Sequence, residues 1–298
     1  MATVYPIAFF KRWKCANWLY LLFAFVMLSA CQSKADESSF TSPPGYNLNR
    51  PVIFKLPPAL DEISGIVYNQ KDHSVLAIND EHGWLYKVHL KRDIDLQKWQ
   101  YYKGADFEDL ALVDSTFYVL ESNGNIIRFR FHTPDSAEVK EFVFPLQGRN
   151  EFEILFHDKT KRQLVLLCKD CEADDKNSLS AYAFNLDNST YLPAPAFVID
   201  IRKIEEIMDE KKLRFKPSAA TVHPLSGDLF IISAINKVLV VTNLEGVPKA
   251  VYKVNSKLYK QPEGIAFTPR GDMLVSNEFA DIGTANILFF KYQQKGSP

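Results

Sequence analysis

The sequence predicts an all-β chain: a five-bladed β-propeller of four-stranded blades, closed by an N-terminal strand, with one helix inserted between blades three and four. Three observations predict it. Five segments align: Glu62-Ile-Ser-Gly-Ile-Val-Tyr, Glu108-Asp-Leu-Ala-Leu-Val, Glu153-Ile-Leu-Phe-His, Ser218-Ala-Ala-Thr-Val-His-Pro and Glu263-Gly-Ile-Ala-Phe-Thr-Pro. Their starts recur about every 45 residues, a blade-like period, with one interval longer by about twenty. Each segment leads through turn residues into two further β-rich runs. Finally, the last repeat runs out of chain after its third strand, and an unassigned strand at residues 51–56 is available to complete it. Closure of that kind removes the open sheet edges that invite aggregation.

Within the repeats, second strands are expected at 74–78, 117–120, 163–167, 229–232 and 273–275. Third strands fall at 84–90, 126–131, 179–185, 238–242 and 287–292. Fourth strands fall at 98–102, 139–144, 196–201 and 249–254. The long interval holds Asp200 to Lys211, whose apolar residues Ile201, Ile204, Ile207 and Met208 form a helical stripe with charged residues opposite.

The N-terminus reads as an export signal. Lys11, Arg12 and Lys14 precede an apolar run from Trp18 to Leu28, too short for a transmembrane helix, which needs about 20 residues. The run ends in Leu28-Ser29-Ala30-Cys31, which resembles the lipobox of bacterial lipoproteins. The expected organisation is therefore a signal peptide at 1–30, a flexible tether at 31–49 rich in Ser, Pro and charge, and a propeller at 50–298. Cys31 is the expected acyl-bearing (palmitate) anchor. It would hold a monomer in the cell envelope, with Gln32 and Ser33 pointing to the outer membrane.

The formal charge is −1, and the signal removes only basic residues. A mature chain more acidic than this argues against a nucleic-acid partner. Of the four cysteines, Cys15 leaves with the signal and Cys31 takes lipid. Cys168 and Cys171, in an exported chain, point to a disulfide, with free or metal-bound thiols as alternatives.

Glu-Ile-Ser-Gly-Ile, Asp-Phe-Glu-Asp-Leu-Ala, Glu-Phe-Glu, Lys-Pro-Ser and Gln-Pro-Glu-Gly-Ile-Ala-Phe stand at successive blade starts. In that order they resemble the SdiA-regulated family of exported β-propellers and, more distantly, NHL-type, lactonase-type and phytase-like propellers. The resemblance spans roughly residues 50 to 292 and implies the fold more than an activity. Blade four departs from the pattern with Ser218 in place of a carboxylate, and blade three with Ile154-Leu155 in place of Gly-Leu.

In a propeller the first strand of each blade lines the channel, and its start lies at one face, here called the top. Glu62, Glu108, Glu153 and Glu263 are then expected to ring the top mouth, with Asn79, Glu121 and Asn277 at the neighbouring ends of second strands. Converging carboxylates repel one another. Calcium or magnesium, a cationic ligand, an internal Lys169 or Lys216, or protonation would relieve that repulsion. The alternative is structural: each Glu accepts backbone N–H groups and fixes blade packing.

No serine-hydrolase elbow, phosphate-cradling loop or organic-cofactor motif is visible. The primary expectation is a membrane-anchored propeller binding a small or peptidic ligand, with a divalent cation as one route. The alternatives are a metal-dependent hydrolase of lactonase or phosphoesterase type and a scaffold for envelope proteins. No residue is assigned a catalytic role.

Overall fold

A computed structural model describes residues 40–91, 94–134, 136–280 and 284–294. The expected signal at 1–30 and the anchor Cys31 lie outside the described residues.

The chain forms β1 (Val52–Lys55) and then five antiparallel sheets. Blade 1 is β2 (Ile63–Asn69), β3 (Ser74–Asn79), β4 (Trp84–Val88) and β5 (Leu96–Gln100). Blade 2 is β6 (Phe107–Val113), β7 (Thr116–Glu121), β8 (Ile126–Thr133) and β9 (Ser136–Phe142). Blade 3 holds β10 (Asn150–Asp158), β11 (Gln163–Cys171), β12 (Ser178–Asn185), β13 (Thr190–Tyr191) and β14 (Phe197–Asp200). Blade 4 holds β15 (Ala219–Val222), β16 (Leu229–Ser233), β17 (Val238–Thr242) and β18 (Pro248–Lys253). Blade 5 contains β19 (Pro262–Phe267), β20 (Met273–Asn277) and β21 (Asn286–Phe290), and β1 completes it by pairing antiparallel with β21, Val52 opposite Phe289. The first strands touch in cyclic order, β2 to β6 to β10 to β15 to β19 and back to β2. The fold is the closed five-bladed propeller that the repeats predict.

Burial falls from the middle of each blade to its rim, and the sequence shows why. β3, β16 and β17 are buried at every position, because blades cover both of their faces. They read Ser-Val-Leu-Ala-Ile-Asn, Leu-Phe-Ile-Ile-Ser and Val-Leu-Val-Val-Thr, runs suited to strands packed on two sides. The outermost β9, Ser-Ala-Glu-Val-Lys-Glu-Phe, is mostly exposed and charged, which discourages edge-to-edge pairing.

The outer strand of blade 3 is broken. Both β13 and β14 pair with β12, and the gap between them holds Pro193 and Pro195, which have no N–H to give to a ladder. β14 runs directly into helix α1 (Ile201–Met208), with Asp200 as its N-cap accepting from Arg202 N. Ile201 and Ile204 enter the core shared by blades 3 and 4, and α1 packs on β18. The helix, expected between blades three and four, therefore packs over the outer part of the seam between them.

The expected flexible tether at 31–49 is not a tether along its described length. Leu48 is 1% exposed, in the core between blades 4 and 5. Tyr46 Oη donates to Gly271 O and meets His223 Nε2 at 2.8 Å. Gly45 has a positive φ of 87°, and a Cβ there would overlap the Tyr292 ring. These contacts lie at the turns that end β15 and β19, on the bottom face. Among the described residues no helix is long and apolar enough to cross a membrane.

Candidate functional site

Backbone register determines which side chains ring the top. In four blades the ladder between first and second strands has the same irregularity. Phe107 pairs with Glu121 and Asp109 with Leu120; Phe152 pairs with Cys168 and Ile154 with Leu167; Pro262 pairs with Asn277 and Gly264 with Ser276. Glu108, Glu153 and Glu263 are the extra residues of these β-bulges, which re-aim a side chain out of the ladder. In blade 1 Ile63 pairs with Asn79 and Ile66 with Ala77, so Ser64 takes the seat equivalent to Glu108. Glu62 stands two residues further out. Its carbonyl accepts from Asp80 N, just as those of Asp106 and Gln261 accept from Ser122 N and Glu278 N. Its side chain is exposed. The ring seats are thus Ser64, Glu108, Glu153, Ser218 and Glu263.

The structure brings Glu108, Glu153 and Glu263 together; the charge of Lys169 reaches all three, and that of Lys237 also reaches Glu263. Burial pushes the Glu108 carboxyl up to about 9, with the charges of Glu153 and Asp106 adding to it. Burial raises Glu263 to about 8, helped by Glu153 and Glu278. Glu153 is raised by burial as well, although Lys169 pulls against it. No hydrogen bond to the carboxyl of Glu108 or Glu263 forms among the described residues; only charges reach them. The Lys169 ammonium bonds Glu153 and lies 3.1 Å from Glu151. Burial alone would weaken its hold on its proton, but these two carboxylates outweigh burial and hold it above the usual lysine range.

Lys169 belongs to a small covalent loop. Cys168 and Cys171 form a disulfide and are almost fully buried. β10 and β11 remain paired beyond a second bulge at Lys169, with Glu151 opposite Asp170 and Asn150 opposite Cys171. Asp170 points to the neighbouring chain segments, 2.5 Å from Lys216 Nζ and 2.8 Å from Arg149. These partners hold its carboxyl below the usual range, Lys216 foremost.

The other expected site residues serve their own loops. Asn79 Nδ2 meets His82 Nδ1 at 3.3 Å, Glu121 accepts from Asn123 and Asn125, and Asn277 donates to Leu258 O and Asn286 Oδ1. Ser218 Oγ donates to Pro262 O, tying blade 4 to blade 5, and accepts from Ala234 N. Among the described residues the one set of His, Cys, Asp or Glu atoms within reach of a single ion is Cys168, Cys171 and Asp174. Its thiols are joined to each other, and Asp174 is taken up by Ser180 N and Oγ.

Asp109, beside Glu108, is a residue that sequence reasoning missed. It is fully buried and accepts from Leu110 N at 2.7 Å and from Leu155 N of blade 3 at 2.8 Å. Burial drives its carboxyl up to about 8, while these two N–H groups pull it down. Gly65 and Gly264 hold the equivalent position in blades 1 and 5. A Cβ on Gly65 would stand 2.3 Å from Asp109 Oδ1, and one on Gly264 would stand 2.8 Å from Ser64 O. In blade 2 the structural role foreseen for Glu108 thus falls to its neighbour Asp109.

A profile of the SdiA-regulated family matches residues 53–280. The chain belongs to the SdiA-regulated family. The matched span takes in all five first strands, including the ring seats. No curated protein matches the chain. Among solved structures, a glutaminyl cyclase of Myxococcus xanthus is 12% identical with a TM-score of 0.57, covering 82% of this chain and 97% of that one. A glucose dehydrogenase is 9% identical with a TM-score of 0.53, covering 82% and 100%. At such identities the likeness extends to the propeller fold alone. In this member of the family Glu108, Glu153 and Glu263 stand together at the channel mouth, and Lys169 pairs with Glu153 and Glu151.

Proposed function

We propose that this SdiA-regulated propeller is a binding module whose top mouth captures a small or peptidic ligand through a protonated amine. The observation that carries the reading is the pair Glu108 and Glu263: part-buried carboxyls that no hydrogen bond compensates among the described residues. An ammonium group from a ligand supplies the missing charge and donors. A divalent ion is the weaker route, because Lys169 already neutralises Glu153 and no three carboxylates of the ring lie within reach of one ion.

The two carboxyls, pushed up to about 9 and about 8, hold protons at neutral pH and must release them to bind a cation. Affinity for putrescine and for a lysyl dipeptide should therefore rise between pH 6 and pH 9. Calorimetry in buffers of different ionisation enthalpy should show proton release. Glu108→Gln together with Glu263→Gln should weaken binding tenfold or more. Absence of binding in the wild type, or binding indifferent to both substitutions, refutes the reading.

The Glu108 carboxyl also suits a general acid, which keeps a hydrolase as the second reading. Turnover in a panel of lactones and phosphoesters, lost in Glu108→Gln, would establish it.

The membrane anchor is part of the proposal. Tyr46 and Leu48 pack at the bottom of the propeller, the end opposite the mouth, and an acyl chain on Cys31 is the proposed anchor. Loss of palmitate labelling in Cys31→Ala is the expected result.

A further inference from the structure

The Cys168–Lys169–Asp170–Cys171 loop puts the one cation that Glu151 and Glu153 share between them. Lys169 Nζ touches Glu153 and lies 3.1 Å from Glu151, and its charge also reaches Glu108 and Glu263. Three constraints hold it there. The second bulge of β11 turns Lys169 out of the ladder. The disulfide closes that bulge from within the core of blades 2 and 3. Asp170, the other residue inside the loop, is tied to Lys216 and Arg149. A free lysine on an open loop would lose more side-chain entropy on docking than one already restricted in this way.

We propose that Lys169 is the specificity determinant of the mouth and that the Cys168–Cys171 loop is its positioning device. Its ammonium fills the seat between Glu151 and Glu153, keeps hard divalent cations out, and leaves Glu108 and Glu263 for a ligand bearing its own ammonium. Emptying the seat leaves the carboxylates of Glu151 and Glu153 without their cation, with oxygens of the kind calcium selects. The inference rests on the cation-binding reading of the ring, but its test reads a different quantity.

The test is calcium titration of the full mature chain at constant pH, by calorimetry. Lys169→Met should bind calcium at least tenfold more tightly than wild type. Lys169→Arg keeps the charge and should continue to exclude it. Opening the loop, by Cys168→Ser with Cys171→Ser, should shift calcium affinity in the same direction, and should add nothing in the Lys169→Met background. If the double serine variant does not fold, reduction of the wild type serves instead: a dithiol reduces the disulfide to two thiols and is itself oxidised to a cyclic disulfide. Failure of Lys169→Met to gain calcium, or equal gain in Lys169→Arg, overturns the specificity role. An equal effect of loop opening with and without Lys169 overturns the positioning role. If amines fail to bind the wild type while Lys169→Met still gains calcium, the exclusion stands and the amine reading falls.

Discussion

Glu108 and Asp109 are neighbours in the chain, yet one faces the channel mouth and the other the seam between blades. Asp109 is withdrawn from water and Glu108 partly so, and burial raises both. At the seam, two backbone N–H groups meet Asp109. At the mouth, Glu108 meets only other charges, most of them negative. Burial is thus common to both regions and does not separate structure from function. Compensation separates them. Where folding supplies the partners, the carboxyl holds blades together; where it does not, a ligand has something to add.

The sharpest way to break this comparison is Asp109→Ala, which leaves two buried N–H groups of neighbouring blades without an acceptor. It should cost roughly 3 kcal/mol in denaturant unfolding. A value near zero would mean the seam does not depend on this carboxyl. Gly65→Ala tests the same seam by crowding, since its Cβ must enter the space of Asp109 and Leu110. The expected loss is about 2 kcal/mol.

The mouth should behave oppositely. Glu108 has a folded pKa of about 9 against an ordinary 4.5, so the folded state binds its proton more tightly than the unfolded state. Its contribution to stability is complete below pH 4.5 and is lost as pH rises toward 9. Glu108→Gln removes that loss and should raise stability at pH 8 by about 2 kcal/mol, flattening the decline between pH 5 and pH 9. A variant less stable than wild type at pH 8 would show Glu108 to be structural after all. Asp200→Ala lies outside both regions and serves as the control. It should cost about 1 kcal/mol through its N-cap, with no pH slope between 5 and 9.

The blade count, the closing strand and the helix were legible because each rests on periodicity: repeats spaced alike, alternating or continuous apolar runs, and an i, i+3 stripe. The ring was legible only in part. Glu62-Ile-Ser-Gly and Pro-Glu-Gly align as letters, but the hydrogen bonds of Ile63 and Pro262 place Ser64, not Glu62, opposite Glu263. A bulge adds one residue without leaving a compositional mark. Tyr46 and Leu48 were hidden for the opposite reason. Two apolar side chains in a stretch rich in Ser, Pro and Gly have no period, and only the cavity between blades 4 and 5 gives them a place. The Asp109 acceptor role had one available signal, the Gly at the matching position of blades 1 and 5, which marks a close backbone approach.

The pairing of Val52 with Phe289 joins nearly opposite ends of the described chain. Blade 5 is therefore complete only once β1 and β21, far apart in sequence, have met. Until they pair, each strand leaves one edge open, and both edges close in a single event. Contacts this distant in sequence are slow to form. Ring closure is thus the step that this topology places last, because it requires the longest loop of the fold to close.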